Sequence, residues 1–158
     1  MKKFSFGFSY IELIVTLAIL SLIISVASPV FETIKKRERE TELKVNLRQI
    51  RNAIDAYKLA YDAGRILNVE KDSGYPKSLN DLVVGVPNEL SPNKEPIYFL
   101  RKIPPDPMYQ GKKVNPEDTW GKRSYDSSAE DPHEGQDVFD VYSMSREKGL
   151  NGTSYSLW

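Results

Sequence analysis

The first apolar feature of the chain is a continuous run. Residues 13–31 are 19 positions without a charged side chain. At about 1.5 Å per residue, such a helix reaches roughly 28 Å, close to the ~30 Å hydrocarbon thickness of a bilayer. A secretory signal has a shorter apolar core, and here Pro29 would directly follow its cleavage site after Ala27 and Ser28. The run therefore predicts a helix that crosses a membrane once and is retained.

Beyond this run, apolar residues recur at helical spacing and predict one buried face. The helix is expected to run from Phe8 to about residue 63, with Gly64 as its cap and Pro29 kinking or locally melting it. We favour packing of the stripe on a C-terminal domain over a coiled-coil seam, because three heptads are few. Glu40 and Lys44 are expected to pair along the helix. The stripe comprises Leu43, Leu47, Ile50, Ile54, Tyr57 and Tyr61.

After Gly64, prolines, glycines and short apolar runs replace the helical pattern. Ser78 and Asp81 are spaced as a capping box and predict a short helix through Val84. Residues 91–107 are expected to be a loop with an apolar core piece at 97–100. Residues 120–125 and 138–144 alternate as strands, separated by a polar loop at 127–136. Together these elements predict an α+β fold, with the long helix packed on a small antiparallel sheet domain.

Composition and charge exclude several classes of function. Lys and Arg number 22, as do Asp and Glu, so the zero net charge gives no general attraction to nucleic acid. The chain has no cysteine, which excludes disulfides, thiol nucleophiles and cysteine metal sites. His133 is the one histidine, and no nucleophile or second ligand has a recognisable spacing to it. We therefore expect a protein that is not an enzyme and does not bind nucleic acid.

One carboxylate interrupts the apolar segment. Glu12 lies between the apolar residues Ile11 and Leu13. A charge at the centre of a membrane helix costs about 2.5 to 3.5 kcal/mol on insertion scales and normally has a partner, whereas an interfacial Glu costs less. Glu12 is therefore either an interfacial residue or a group that meets a cation when the protein assembles.

The sequence MKKFSFG at residues 1–7, followed by FSYIEL, closely resembles the leader of type IV pilins and type II secretion pseudopilins. In that family, a prepilin peptidase cuts after the glycine and the new N-terminal Phe is N-methylated. The resemblance implies cleavage between Gly7 and Phe8. Glu12 becomes the fifth mature residue, the position of the family's glutamate, and Pro29 the twenty-second, where the family carries a helix-disrupting proline.

The resemblance also implies a pilin-like fold and a division of the chain into four segments. Residues 1–7 are the leader, 8–34 the transmembrane and filament-core helix, 35–63 an amphipathic helix and 64–158 the globular region. Glu12 is expected to meet the N-terminal amine of a neighbouring subunit. The expected partners are copies of this chain, other pilin-like subunits, prepilin peptidase and an inner-membrane assembly platform. The C-terminal domain is placed in the periplasm, although Lys35, Lys36, Arg37 and Arg39 after the span favour the opposite orientation by charge.

The C-terminal region resembles the major pseudopilin of type II secretion in its order of elements. In that family an Asp-Pro-Trp-Gly block precedes the first strand. Here Asp106-Pro107 and Trp120-Gly121 are separated by the insertion 108–119, which suggests a divergent paralogue or a minor pilin. The family also carries a calcium site after the final strand. The matching stretch 145–158 holds one acid, Glu147, so that site is not expected here.

A cluster of acids near the last strand offers oxygen ligands for a hard cation such as calcium. The residues lack the spacing of a calcium-binding loop, and a solvated acidic loop is the preferred explanation; we therefore assign no metal or cofactor. Asn151 and Gly152 match a glycosylation acceptor but are interpreted as a turn pair. The weak candidate ligands are Glu130, Asp131, Glu134, Asp137 and Asp140.

Two function classes follow from these observations. The preferred one is a structural subunit of a type II secretion pseudopilus or a type IV pilus-like filament, found in the bacterial inner membrane and then in the filament. The alternative is a single-pass, membrane-anchored binding or sensor module outside the cytoplasm. That module accounts for the span and the polar domain, but it leaves the spacing of Gly7, Phe8, Glu12 and Pro29 without explanation.

Overall fold

The structure is a computed structural model that describes residues 7–68, 72–112 and 114–158, with the side chains of 26–28 left out of the description. Its main element is a helix of 53 residues, α1 (Tyr10–Asp62). The other elements are short, and together they confirm the α+β layout. They are α2 (Asp81–Val84), β1 (Val86–Pro87), β2 (Pro96–Ile97), β3 (Trp120–Arg123), β4 (Asp140–Ser143) and the 3₁₀ turns Pro116–Thr119 and Tyr155–Leu157.

The chain divides into two compact units, Met1–Glu38 and Arg39–Trp158. The described part of the first unit is the N-terminal portion of α1 with the three residues before it. The second unit contains the rest of α1 and every other helix and strand of the described chain. The leader at residues 1–6 lies outside the described residues.

The helix α1 continues through Pro29, so local melting at this residue is wrong, while a kink there stays a prediction. A proline lacks the backbone N–H that bonds to the carbonyl four residues earlier, and its ring crowds that carbonyl. Thr33 Oγ1 donates to the carbonyl oxygen of Pro29 at 2.9 Å. The helix begins at Tyr10, two residues later than expected, and Gly64 ends it with a φ of +70°, as its assignment as a cap requires.

The apolar stripe of α1 forms one wall of the core, which confirms its predicted packing on the C-terminal domain. Leu43 and Ile50 are fully buried. They belong to the same cluster as Trp120, Val141 and Tyr155 from the rest of the second unit. Burying one face of a helix against a sheet is the main stabilising contribution in a domain of this size. The stripe is therefore a core face in this chain.

The strands β3 and β4 pair antiparallel, as predicted, with Trp120 opposite Ser143 and Arg123 opposite Asp140. Both are shorter than expected. A second antiparallel pair, β1 with β2, was missed because each strand is two residues long and carries a proline. The predicted core piece at 97–100 is confirmed at Leu100, which is buried.

The insertion 108–119 is closed at its base by side chains from both ends. Asp106 N donates to Thr119 Oγ1 at 2.9 Å, and Trp120 Nε1 donates to the carbonyl oxygen of Pro104 at 2.7 Å. Ser143 Oγ donates to Asp106 Oδ2 at 2.6 Å. The Asp-Pro and Trp-Gly pairs are therefore neighbours in space although twelve residues separate them in sequence.

Asp106 makes the stability of the fold at the base of the insertion depend on pH. Its burial raises the pKa of the carboxyl group, against the opposing effects of the bonds from Ser143 and the Met108 N–H. The folded state therefore holds this proton more tightly than the unfolded state. As the pH rises from the ordinary value of 3.8 through the raised pKa, the Asp106 contribution to the free energy of unfolding falls.

We expect Asp106→Asn to remove this dependence. The melting temperature of the full chain in detergent, followed from about pH 4 to pH 7, is expected to fall more for the wild type than for the variant. Parallel curves for the two proteins would show that Asp106 keeps its ordinary pKa. Asp118→Asn, at an exposed carboxylate of the same loop, is the matched control.

Candidate membrane and assembly segment

The N-terminal part of α1 exposes apolar side chains on every side. Each described side chain from residue 7 to residue 25 and from 29 to 35 is exposed. By length and composition, α1 is the one helix of the described chain that is able to cross a membrane, and none of its apolar window is buried. A soluble monomer rarely leaves so large an apolar surface uncovered. This segment therefore needs lipid or protein around it.

The predicted cleavage site lies just before the helix. Gly7 and Phe8 are outside helical hydrogen bonding and exposed, and Phe8 retains 85% of its accessible surface. The first helical bond at this end runs from the Leu13 N–H to the Ser9 carbonyl. The peptide bond between Gly7 and Phe8 is therefore outside the helix, and both of its residues are accessible.

Glu12 lies in the first turn of α1 and is exposed. An acidic side chain in this turn interacts favourably with the helix dipole. The neighbouring residues of the helix, from Tyr10 to Val15, are all uncharged. Glu12 and the exposed Phe8 are the residues that the structure brings to this end of the helix, while Pro29 lies far along it in sequence.

The five acidic residues near β4 divide into two groups. Asp137 is buried, and its Oδ1 accepts from Ser124 Oγ and the Tyr125 N–H. Asp140 pairs with Arg51 at 2.7 Å and Arg123 at 3.4 Å. Both carboxylates thus have structural partners. The remaining three, Glu130, Asp131 and Glu134, are exposed, and no three potential ligands in the described chain are grouped to hold a metal ion.

Sequence reasoning missed the role of Glu40. Its expected pair with Lys44 is wrong, because Glu40 Oε1 instead accepts from the Leu150 N–H at 2.7 Å and from Tyr155 Oη at 2.9 Å. This carboxylate is 8% exposed. Burial and the neighbouring Glu40 raise the pKa of the Tyr155 hydroxyl. No periodic pattern signals a contact across more than a hundred residues, so the sequence alone does not reveal it.

Arg51 and Lys44 bind the same C-terminal segment, residues 145–158, which we call the C-terminal loop. Arg51 Nη2 donates to the main-chain oxygen of Trp158 in this loop and to that of Val141 in β4. Lys44 Nζ lies 4.5 Å from the centre of a Trp158 ring. Asn151 and Gly152 form the expected turn, with Gly152 at a φ of +84°. The C-terminal loop is therefore held on α1 by side chains of the helix.

This arrangement predicts that the C-terminal loop is stable without a metal. Adding EDTA or calcium to the full chain in detergent is expected to shift the melting temperature by less than about 2 °C.

Glu40→Ala removes the acceptor for two donors and is expected to lower the free energy of unfolding by about 1–3 kcal/mol. Stabilisation by calcium, or an unchanged Glu40→Ala variant, would contradict this description of the loop.

A cleft of about 540 Å³ lies between α1 and the C-terminal loop, within the second unit. Its helix side carries three cations, Lys44, Arg48 and Arg51, and its loop side carries Asn151 and Trp158. Arg51 is balanced by Asp140. Arg48 is exposed and takes part in no hydrogen bond or ion pair of the described residues. The cleft is thus suited to a negatively charged group.

No family model, curated protein or solved structure matches this chain.

Proposed function

We propose that this chain is a structural subunit of a type II secretion pseudopilus or a type IV pilus-like filament. The observation that carries the proposal is the combination of two features at one end of the chain. The residues FSYIEL follow Gly7 at prepilin spacing. The helix that begins there has exposed apolar side chains and a single carboxylate in its first turn. A subunit of a helix-cored filament needs both features.

Processing is the first step of this function. Prepilin peptidase cuts between Gly7 and Phe8, and Phe8 becomes the N-methylated first residue. The exposed, non-helical state of both residues supports this step. The cut removes Lys2 and Lys3 with the leader and leaves the apolar helix attached.

Assembly is the second step. The apolar part of α1 leaves the lipid and packs against the same segment of neighbouring subunits, and the Glu12 carboxylate pairs with a neighbour's N-terminal amine. A buried carboxylate is tolerated when it is paired and hydrogen-bonded. Glu12 thereby fixes the register between subunits. Pro29 leaves one carbonyl of the helix without its usual donor, so α1 has a weak point at which we expect it to bend in the filament.

The α+β layout supports a pilin-like fold, in which the second half of a long helix is buried in a small domain. The proposed location is the bacterial inner membrane, with the second unit in the periplasm, followed by the filament itself. The expected partners are copies of this chain, related subunits, the peptidase and the assembly platform. The role is structural and involves no catalysis by this chain.

Shearing and sedimentation of filaments test the proposal. The full chain is expressed in a bacterium that has an active prepilin peptidase and assembly platform, and the sheared high-mass fraction is probed for it. We expect the wild type to be shortened by its leader and to enter this fraction. Gly7→Leu introduces a bulky residue at the cleavage site, and this variant is expected to keep its leader and remain in the membrane.

A second candidate is the single-pass anchored binding module, and the cationic cleft is the observation that favours it. In that case the chain stays in the membrane fraction whether or not it is shortened. A processed wild type that never enters the sheared fraction would favour the module and contradict the filament.

A further inference from the structure

The side chains that line the cationic cleft on α1 include three cations and no acid. Among its cations, Arg51 is paired with Asp140. Lys44 contacts the ring of Trp158, an interaction that leaves its positive charge in place. Arg48 is exposed and is absent from the hydrogen bonds and ion pairs of residues 7–68, 72–112 and 114–158. Lys44 and Arg48 lie one helical turn apart, so both charges face the same cleft.

The complementary charge is present elsewhere on the same chain. The polar loop 127–136, which we call the acidic loop, lies in a stretch from 124 to 145 that contains no Lys or Arg. Its acids Glu130, Asp131 and Glu134 are exposed. Their carboxylates form none of the ion pairs found in the described chain. The hydrogen bonds of the loop are internal or go to the neighbouring strand, for example from the Ser124 N–H to the His133 carbonyl.

No hydrogen bond or ion pair joins the two charged surfaces within the described residues of one copy. Both belong to the second unit, so every copy presents one cleft and one acidic loop. A contact between two different surfaces of identical chains is heterologous, and such contacts propagate into rings or helical assemblies. Opposite charges across an interface also fix its register.

We infer that the cleft formed by Lys44 and Arg48 beside the C-terminal loop binds the acidic loop of a second copy of this chain, through Glu130 and Asp131. This inference rests on the proposed filament and adds a contact between globular units to the packing of the apolar helices. The contact depends on ionic strength, because exposed ion pairs are screened by salt.

Charge reversal tests the contact in the full chain. Arg48→Glu and the double variant Glu130→Lys with Asp131→Lys are each expected to lower the yield of sheared filaments by about tenfold or more, with processing unchanged. Combining the two changes restores the opposite charges and is expected to restore filaments. The matched control is Arg101→Glu, at an exposed arginine outside the cleft, and it is expected to assemble like the wild type.

The outcomes separate this inference from the function on which it rests. Wild-type filaments together with an unaffected Arg48→Glu variant would overturn the contact and leave the filament intact. A combined variant that assembles no better than either part would also overturn it. A processed wild type that forms no filaments would overturn both proposals.

Cross-linking gives a readout that does not depend on the tolerance of charge reversal. The chain contains no cysteine, so introduced thiols have no native competitor. Co-expression of Arg48→Cys with Glu130→Cys is expected to give a disulfide-linked dimer upon oxidation of filaments, whereas either variant alone gives none. Arg101→Cys with Glu130→Cys is the control pair. Equal dimer yields from the two pairs would contradict the assigned contact.

Discussion

Replacing Glu12 with alanine is expected to abolish filaments while leaving cleavage after Gly7 intact. In the proposed filament, the Glu12 carboxylate neutralises the N-terminal amine of a neighbouring Phe8 in apolar surroundings. Removal of one partner of a buried ion pair leaves the other charge uncompensated, at a cost of about 3–5 kcal/mol. That cost corresponds to more than about a hundredfold in association at every subunit interface. Assembly would therefore fall below detection.

The measurement is the yield of sheared filaments together with the mass of the processed chain. Glu12→Gln keeps the shape of the side chain and removes its charge, so it is expected to fail like Glu12→Ala. Glu32→Ala, at an exposed acid beyond the uncharged run of the same helix, is the matched control and should assemble normally. Filaments at wild-type yield from Glu12→Ala would show that Glu12 is an interfacial residue without a role in assembly.

The second large effect is expected at Trp120 in the globular unit. This side chain is 1% exposed and belongs to the core cluster with Leu47 and Ile50 of α1. Its indole N–H also holds the Pro104 carbonyl at the base of the insertion. Trp120→Ala is expected to lower the free energy of unfolding by about 3–5 kcal/mol, a large part of the stability of a small domain.

Trp120→Phe separates the two contributions. It keeps most of the apolar volume and leaves the buried Pro104 carbonyl without its donor, which costs about 1–3 kcal/mol. The measurement is denaturant unfolding of the full chain in detergent. Trp158→Phe, at a partly exposed ring, is the control with a smaller expected loss. Equal losses for Trp120→Ala and Trp158→Phe would contradict the central place of Trp120 in the core.

The parts of the fold that follow a short period were predictable from the sequence. The stripe from Leu43 to Tyr61 repeats every three or four residues, and its burial follows directly from that spacing. The alternation in residues 138–144 likewise marked β4, and its pairing with β3 was expected. In both cases the apolar pattern repeats within a short continuous stretch of chain. Such a local pattern is sufficient to predict the element and its buried face.

The contacts that position the loops were not predictable in this way. Glu40 reaches Tyr155, Asp106 reaches Ser143, and Arg51 reaches Asp140 across 115, 37 and 89 residues. The local sequence around each of these charged residues does not indicate its partner, because the tertiary fold brings the two residues together. The expected pair of Glu40 with Lys44 is wrong for this reason. The Glu40 carboxylate accepts instead from a buried tyrosine hydroxyl and a backbone N–H.

The cationic cleft is a further feature of this kind. Lys44, Arg48 and Arg51 recur at helical spacing on α1, a pattern that by itself indicates only a charged helix face. The cleft exists because the C-terminal loop lies beside them, held by Glu40 and Arg51. The N-terminal candidate site does not depend on tertiary contacts in this way. Gly7, Phe8 and Glu12 were found by their spacing in the sequence, and the structure shows them exposed.

The filament function depends on processing of the chain as a prepilin, and the mass of its N-terminal peptide in native membranes is the most direct test of that processing. We expect a chain that starts at Phe8 and carries one added methyl group. A chain that still starts at Met1, in cells with an active prepilin peptidase, would contradict the filament function and leave the anchored binding module.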